Sequence, residues 1–430
     1  MVGLSRLAHV DRSSLATLAD WAAVAVAVAL PWSTSAVGIA IAVWLLTLLP
    51  TLDAASLKRE LATAAGGLPA LLWCLGVLGM LWADVSWHDR LAGLGSFHRL
   101  LAIPLLLAQF RRSRNGIWVV CGFFISSVAL LIASYAIVLV LGHRWGGVYG
   151  VPVHDTIFQG AVFLICGFGA LGYAGLSLKK GAWRYPIPIA IFAAGVLFLI
   201  NFAFATASRI ALVIAPLMLL LLGWHLFRWK GVVVAVLLAA MAGSAMWFAS
   251  PVIRDRVMRS ISEIQRYRAT NEATSIGEHT AFLKESLTIV ASAPIVGHGT
   301  GSVAEEFRRI TAGKVRASAI ATVNPHNQTF AVAIQLGLVG VLALWAMWIA
   351  HLALFCGQDV IAWLGLVIVV ENILSSTVHS HLFDFNSGWL YVFGVGALGG
   401  TILGERERML NKETGPPRMV NGGANSTIFP

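Results

Sequence analysis

The chain is divided into a succession of apolar segments, most of them about 20 residues long and nearly free of charge. About 20 apolar residues are the length that a helix needs to cross the hydrocarbon of a bilayer. Over the 430 residues, 58% are hydrophobic, 12% are charged and the mean hydropathy is +0.80. No soluble core accommodates that apolar fraction, so we predict an all-α polytopic membrane protein.

Twelve transmembrane spans are predicted by this rule. They lie at approximately 14–31, 35–51, 67–84, 92–110, 115–142, 157–178, 185–206, 209–227, 231–249, 327–355, 359–378 and 387–404. Four domains follow: residues 1–249 with spans one to nine, a large loop at 250–326, residues 327–404 with the last three spans, and a tail at 405–430 that is predicted to be disordered.

The basic residues fall mainly on alternate connections between these spans. Positively charged loops face the cytoplasm, so this distribution predicts that both termini are cytoplasmic and that the loop at 250–326 lies outside. If the membrane is a bacterial inner membrane, outside means the periplasm. The residues that carry this argument are Lys58, Arg59, Arg111, Arg112, Arg114, Lys179, Lys180, Arg184, Arg228 and Lys230.

The large loop is not of low complexity. Ser275-x-x-Glu278 has the form of a capping box and predicts a helix to about Ser292. Its apolar positions Phe282, Leu283, Leu287 and Val290 recur at helical spacing, so one face is expected to pack on the bilayer surface or on the mouth of the bundle. The run 297–301 predicts a turn, and a second short helix is expected from Val303 to Ile310.

After this loop comes Asn324-Pro325-His326-Asn327, followed by an apolar helix. Asn324 is a suitable N-cap and Pro325 suits the first helical position. His326 would then lie in the first turn, where the positive end of the helix dipole disfavours the imidazolium form. A neutral imidazole can accept a proton, so His326 is a candidate general base; an incidental histidine beside a helix cap is the alternative.

Several other polar residues are predicted on the outer side or within the spans. Arg209 begins a helix, where a cation is unfavourable unless an anion binds beside it, so it either holds a substrate phosphate or reaches lipid phosphate. Arg99 lies inside the fourth span and either pairs with Glu371 or contacts a lipid phosphate. Arg144 is a candidate phosphate or sugar contact, and Asp384 either orients His326 or binds an acceptor sugar.

The sequence also argues against some classes of function. No Walker loop or nucleotide-binding strand–glycine–helix unit is present, so coupling to ATP is not supported and a pre-activated donor fits better. The net charge of +10 is explained by membrane sidedness, and no nucleic-acid partner is expected. His379 and His381 are too closely spaced to specify a metal site, and no metal or other cofactor is predicted.

His326-Asn327, nine residues and then Gly337-x-x-Gly340 resemble the H-[NSQ]-x9-GxxG pattern of bacterial O-antigen ligases. Ser208-Arg209 after a span, the segment 275–279 and the run from Pro294 to Gly301 are also similar. The resemblance covers roughly residues 70–405, and it is shared by O-antigen polymerases and protein O-oligosaccharyltransferases.

This resemblance implies a GT-C-like glycosyltransferase architecture in the inner membrane. It implies transfer of O-antigen polysaccharide from undecaprenyl pyrophosphate to a sugar hydroxyl of lipid A–core, at the periplasmic face and without metal. It implies His326 as the catalytic base and Arg209 as a pyrophosphate contact, with Asn327 beside the base. Members commonly have Arg where this chain has His279, so Arg266, Arg268 or a protonated His279 is expected to supply the second positive charge, with Arg99 a further candidate.

Three other functions remain open. Arg266, ten residues and then Gly277 resemble a pattern of some polymerases, although polymerases commonly present two sizeable outer loops and only one loop is long here. A protein O-oligosaccharyltransferase usually has a longer C-terminal region. A lipid or polysaccharide transporter would favour charges along a central path and an internal repeat, whereas the polar residues here cluster at one face.

Overall fold

The computed structural model describes residues 11–140, 150–153, 156–201, 208–249 and 251–414, and this part of the chain is helical without a strand. The helices are α1 (Arg12–Ala29), α2 (Thr34–Leu48), α3 (Ala54–Leu61), α4 (Ala64–Gly79), α5 (Trp87–His98), α6 (Ala102–Ser113), α7 (Gly116–Val140), α8 (Thr156–Lys179), α9 (Pro186–Asn201), α10 (Arg209–Ala249), α11 (Pro251–Thr270), α12 (Ser275–Ser292), α13 (Val303–Thr311), α14 (Gln328–Leu354), α15 (Val360–Ser375) and α16 (Phe385–Thr414).

Within these described ranges, eight helices are long and apolar enough to cross a membrane. A ninth span arises if α3 and α4, which meet at a bend of 87°, are counted together, and α9 and α15 are shorter apolar helices. The protein is therefore an all-helical polytopic membrane protein, as the sequence predicts. The number of twelve spans stays a prediction.

Helix α10 is folded back on itself rather than straight. Arg228 has a φ of 54° and a ψ of −140°, which interrupts the helix. A side-chain carbon at Gly231 would meet the carbonyl oxygen of Gly223 at 1.9 Å. Residues eight apart in a straight helix are about 12 Å apart, so this contact requires two antiparallel halves. The two halves correspond to the predicted spans 209–227 and 231–249.

The two ends of the bundle differ in their polar side chains. Glu60 is fully buried and receives hydrogen bonds from Arg111, which also pairs with Glu407 at 2.9 Å. Glu407 lies 22 residues along α16 from Phe385, which corresponds to about 33 Å. The start of α16, the end of α15 and the start of α14 therefore form the opposite end of the bundle, here called the histidine end because it carries His326.

The break in α14 at Gly337 anchors the large loop to the bundle. Gly337 has a φ of 58°, and a side chain there would meet the backbone of Ile295 at 2.3 Å. Leu338 donates its N–H to the carbonyl of Pro294 at 2.8 Å, and His298 donates to that of Ile334 at 2.8 Å. The predicted turn at 297–301 is therefore present, and its backbone forms hydrogen bonds with α14 next to the break in that helix.

The loop helices agree with the prediction in position, with one correction. Helix α12 runs from Ser275 to Ser292, but its cap is Thr274, which accepts the N–H of Gly277 at 3.1 Å. Phe282 packs in a small core of the loop together with Ile289, Val303, Phe307 and Ile334 of α14. Leu283 and Leu287 are exposed outside this core, so their packing on the bilayer surface stays a prediction.

Candidate active site

His326 lies just outside helix α14 and not in its first turn. The helix begins at Gln328, and Asn327 is the cap, because its Oδ1 accepts the N–H of Phe330 at 3.1 Å. Asn324 accepts the N–H of His326 at 2.9 Å and so closes a local turn. The prediction that Asn324 caps the helix is therefore wrong. The cap lies three residues later, at Asn327, and the side chain of Asn324 instead accepts a hydrogen bond within the turn that precedes the helix.

The backbone at His326 adopts a conformation that is uncommon for residues other than glycine, with a φ of 53°. Such conformations persist where the surroundings hold them, and they are frequent at functional sites. Here the turn at Asn324 on one side and the cap at Asn327 on the other fix the position of the imidazole. The His326 side chain is thereby placed among the loop residues.

Burial and two neighbouring histidines lower the pKa of His326 to about 4. This lowered pKa agrees with the predicted neutral imidazole. The cause of the lowering differs, however, from the helix dipole on which the prediction rested. Burial is the largest cause, and His279 and His379 add repulsion against a positive charge. The Nδ1 atom of His326 is buried and has no hydrogen-bond partner in the described part of the chain.

Four imidazoles from three segments form what we call the histidine cluster: His279 of α12, His326, His379 and His381. The ring centroid of His326 lies 4.4 Å from that of His279 and 4.9 Å from that of His379, and His379 lies 5.2 Å from His381. Phe282 stacks on His326 at 5.7 Å with an interplanar angle of 15°. The large loop and the loop between α15 and α16 therefore both pack against His326.

Arg209 is the first residue of α10, as predicted, and it pairs with Glu263 of α11. Its Nη1 and Nη2 atoms donate to the Glu263 carboxylate at 3.3 and 3.2 Å. The same carboxylate accepts the N–H of Ile276 near the start of α12 at 3.3 Å. Burial raises the pKa of Glu263, but the hydrogen bonds from Arg209 and Ile276 outweigh it, so the pKa is lowered and the carboxylate is charged.

Arg209 is also close enough to the histidine cluster to act on it electrostatically. Burial lowers the pKa of His279, and the positive charge of Arg209 contributes to the same shift. His279 in turn contacts His326. Arg209, His279 and His326 therefore lie at the same end of the bundle, and their joint role in one site stays a prediction.

The expected second cation is less well defined. Arg266 pairs with Glu272 at 3.0 Å, and both side chains are exposed. It lies three residues after Glu263 on α11 and its charge also lowers the pKa of Glu263. His279 has a lowered pKa, which disfavours the protonated form that would replace an arginine. Of the two, Arg266 is the better source of positive charge.

Arg99 is buried and holds the loop between α15 and α16. Its guanidinium donates to the carbonyl oxygen of Asp384. The predicted pairing of Arg99 with Glu371 is wrong, because the ion pairs of the described residues include none between them and Arg99 faces Asp384. Arg99 thus supports the segment that carries His379 and His381.

The other predicted site residues are placed as follows. Asn327 donates its Nδ2 to the carbonyl of Thr377 at 2.9 Å and so joins the start of α14 to the end of α15. Asp384 accepts the N–H of Ser387 at 3.0 Å near the start of α16. Both side chains therefore shape the loops around His326. Arg144 lies outside the residues that the structure describes.

A polar cavity of about 450 Å³ adjoins the histidine cluster. It lies between α5, the segment 301–304, the turn before His326 and the loop at 379–385. Asn324, Pro325 and His379 form the wall next to His326. Its other polar residues are Asp89, Ser96, Gln335, Ser380 and Asp384. The cavity is large enough to hold one or two sugar rings beside the imidazoles.

Two residues of the site were not singled out in the sequence. Glu263 is one of two acidic residues among the five arginines of the segment 251–268, and that contrast was an available signal for an internal ion pair. Phe282 was recognised only as a packing residue. His379 and His381 were considered as metal ligands; in the described part of the chain no group of three or more His, Cys, Asp or Glu side chains is arranged to hold a metal ion.

The fold and the site define a polytopic membrane protein whose one polar end combines a buried histidine cluster with an arginine held by a carboxylate. Residues 194–345 match the family model described as Wzy_C, O-antigen ligase. This match covers about a third of the chain and supports a relationship to the O-antigen ligase superfamily. The matched segment includes Arg209, α11 to α13, His326 and Gly337. No curated protein matches the chain.

Proposed function

We propose that the protein is an O-antigen ligase, a glycosyltransferase that moves O-antigen polysaccharide from undecaprenyl pyrophosphate to a sugar hydroxyl of lipid A–core. The family match supports an O-antigen ligase or polymerase type of function in general. The observation that carries the more specific proposal is that Arg209 acts on His279, which in turn contacts His326, at the same end of the bundle. This arrangement combines a group that can bind a diphosphate with a group that can accept a proton.

The reaction is one displacement at the anomeric carbon of the donor sugar. A bond forms between the acceptor oxygen and the anomeric carbon, and the bond from that carbon to the diphosphate oxygen breaks. His326 takes the proton of the acceptor hydroxyl, and the electron pair of the broken bond stays on the leaving diphosphate. Arg209 stabilises the negative charge that develops there. A single displacement inverts the anomeric configuration.

Binding of the donor makes His326 a stronger base. An imidazole with a pKa of about 4 is neutral at pH 7 but is a weak base. When the diphosphate binds near Arg209, its negative charge favours the imidazolium form and raises the pKa of His326. The base therefore becomes stronger in the donor complex, where the proton must be taken up.

The membrane arrangement that we propose has both termini in the cytoplasm and the histidine end on the periplasmic side of the inner membrane. The positions of Arg59, Arg111 and Arg112 at the other end of the bundle support it, because basic residues favour the cytoplasmic side. Residues 250–326 form the periplasmic loop over the site, and the tail at 405–430 is cytoplasmic. Twelve spans result when the two halves of α10, the helices α4, α9 and α15, and the remaining long helices each cross the membrane.

An O-antigen polymerase is the second candidate, because the family match does not separate the two reactions. We would incubate the purified protein with undecaprenyl-pyrophosphate-linked glycan in a chelator, with and without lipid A–core, and measure the products by mass spectrometry. A product that requires both lipids supports the ligase. Elongation of the glycan with the donor alone would support a polymerase and reject the ligase.

A further inference from the structure

The polar cavity beside the histidine cluster differs in charge from the Arg209 side of the site. The residues that line it in the described part of the chain include no Lys or Arg. They include two carboxylates, Asp89 and Asp384, with the hydroxyls of Ser96 and Ser380 and the amide of Asn324. A cavity of this composition offers hydrogen bonds to neutral hydroxyl groups and repels anions.

Asp384 closes one wall of this cavity. Arg99 contacts the backbone carbonyl oxygen of Asp384, and the Oδ1 atom of Asp384 accepts the N–H of Ser387. The positive charge of Arg99 lies close to Asp384 and offsets part of its negative charge.

Asp89 is the second carboxylate of the cavity, and its side chain is 47% exposed. It lies in the first turn of α5, and the ion pairs of the described residues join it only to His88, at 3.6 Å. A hydrogen bond from the Ser86 hydroxyl is the main cause that lowers the pKa of Asp89, and His88 and the positive charge of Arg308 add to it, so the group is ionised at neutral pH. One oxygen accepts that hydroxyl at 2.6 Å, which leaves further acceptor capacity on the carboxylate.

Asn324 links this cavity to the base. Its Oδ1 atom accepts both the N–H of His326 and the hydroxyl of Ser380, at 2.9 and 2.7 Å. These bonds leave its Nδ2 group to donate to a ligand. A sugar held between Asp89 and Asn324 would lie against His379, whose ring centroid is 4.9 Å from that of His326.

We propose that this cavity is the acceptor subsite and that it binds an unphosphorylated sugar of the acceptor through Asp89, Ser96 and Asn324. The proposal rests on the function proposed above and adds a selectivity for charge, here called the charge rule. The diphosphate of the donor lies on the Arg209 side of the histidine cluster, and the neutral hydroxyls of the acceptor lie on the Asp89 side. A phosphate on the acceptor sugar is rejected by the Asp89 carboxylate.

The test uses the full-length protein in detergent with both lipid substrates. Asp89→Asn keeps the shape of the side chain and removes its charge, and Ser96→Ala removes one hydroxyl. We expect Asp89→Asn to raise the acceptor KM about 5- to 20-fold and Ser96→Ala about 3- to 5-fold, as loss of a hydrogen bond to a charged and a neutral group should. The donor KM should stay unchanged in both variants.

A second readout follows the charge rule directly. With acceptors whose terminal sugar is phosphorylated or unphosphorylated, Asp89→Asn should raise the relative rate on the phosphorylated acceptor. Asp255→Asn is the matched control, because Asp255 is an exposed carboxylate paired with Arg259 on α11 and lines no part of the cavity. It should leave both KM values and the preference unchanged.

The outcomes separate this proposal from the proposed function. If the wild-type protein transfers glycan and Asp89→Asn leaves the acceptor KM unchanged, or changes only the donor KM, the cavity is not the acceptor subsite. Absence of transfer by the folded wild-type protein with both lipids would instead reject the ligase function. Direct titration of the delipidated core oligosaccharide by NMR should give weaker binding to Asp89→Asn, and equal binding would overturn the proposal.

Discussion

Arg209 donates both terminal nitrogens of its guanidinium to the carboxylate of Glu263, at 3.3 and 3.2 Å. The Glu263 side chain is 12% exposed and also accepts the N–H of Ile276. The Glu263 carboxylate therefore occupies the Arg209 guanidinium, which we propose as a binding group for the donor diphosphate. In the proposed reaction the diphosphate displaces Glu263 from Arg209, or shares Arg209 with it.

Replacement of Glu263 by Gln should strengthen donor binding. Glu263→Gln keeps the size of the side chain but removes the negative charge with which the diphosphate competes. We expect the donor KM to fall about 3- to 10-fold, which is the effect of a partly exposed ion pair of about 1 kcal/mol. Steady-state rates over a range of donor concentrations at saturating acceptor would measure it.

Asp255→Asn removes an exposed carboxylate from the same helix and serves as the control, with no change expected. If Glu263→Gln instead raised the donor KM and lowered kcat, Glu263 would be holding Arg209 in its working position. Competition with the diphosphate would then be excluded.

The shape of the guanidinium should matter as well as its charge. Arg209→Lys keeps one positive charge but cannot make two parallel hydrogen bonds to a phosphate oxygen pair. We expect kcat/KM for the donor to fall about 10- to 100-fold, while Arg259→Lys on the exposed face of α11 leaves it within about twofold. A fully active Arg209→Lys variant would remove Arg209 from the diphosphate site.

The pH dependence should differ between the free protein and its donor complex. In the free protein His326 has a pKa of about 4, so the neutral base is present above that pH and is lost as the pH falls through it. The bound diphosphate raises this pKa, so the acid limb of kcat should lie at higher pH than the acid limb of kcat/KM for the donor. Parallel profiles of both constants from pH 4 to pH 8 would measure the difference. Identical limbs would contradict the proposed effect of the donor on the base.

The break in α14 should depend on the absence of a side chain at Gly337. Gly337→Ala places a carbon 2.3 Å from the backbone of Ile295 at a φ of 58°. The strain and the overlap together should cost about 2 kcal/mol or more and lower the thermal unfolding temperature. Gly38→Ala, in a helix where a side chain meets nothing within 4 Å, should leave that temperature nearly unchanged. Equal temperatures for both variants would show that the docking of Pro294–Thr300 is not rigid.

The sequence predicts the helices better than it predicts their contacts. In the described residues, apolar length predicts the eight helices that are long and apolar enough to cross a membrane, because the bilayer imposes that length on the chain. The cap of α14 is three residues from its predicted place, since Asn324 and Asn327 are both good caps and only the tertiary contacts of Asn324 with Ser380 decide between them. A local pattern cannot separate two equivalent candidates.

The partners of the charged residues depend on contacts between distant segments. Arg99 faces Asp384, 285 residues later, rather than Glu371. The pairing of Arg209 with Glu263 joins residues 54 apart. The neutral state of His326 was predicted from the helix dipole, but its pKa is lowered by burial and by His279 of α12 and His379 of the loop between α15 and α16. Residue types therefore indicate the chemistry, and the fold determines which groups meet.

The most direct test of the account is the transfer rate of His326→Ala, measured in proteoliposomes with undecaprenyl-pyrophosphate-linked glycan and lipid A–core. His98→Gln, a histidine of α5 outside the cluster, is the control. The account predicts that His326→Ala binds the donor with unchanged affinity but transfers glycan about 10²- to 10⁴-fold more slowly, as loss of a general base should. Transfer by the folded His326→Ala protein at the rate of the wild type would contradict it.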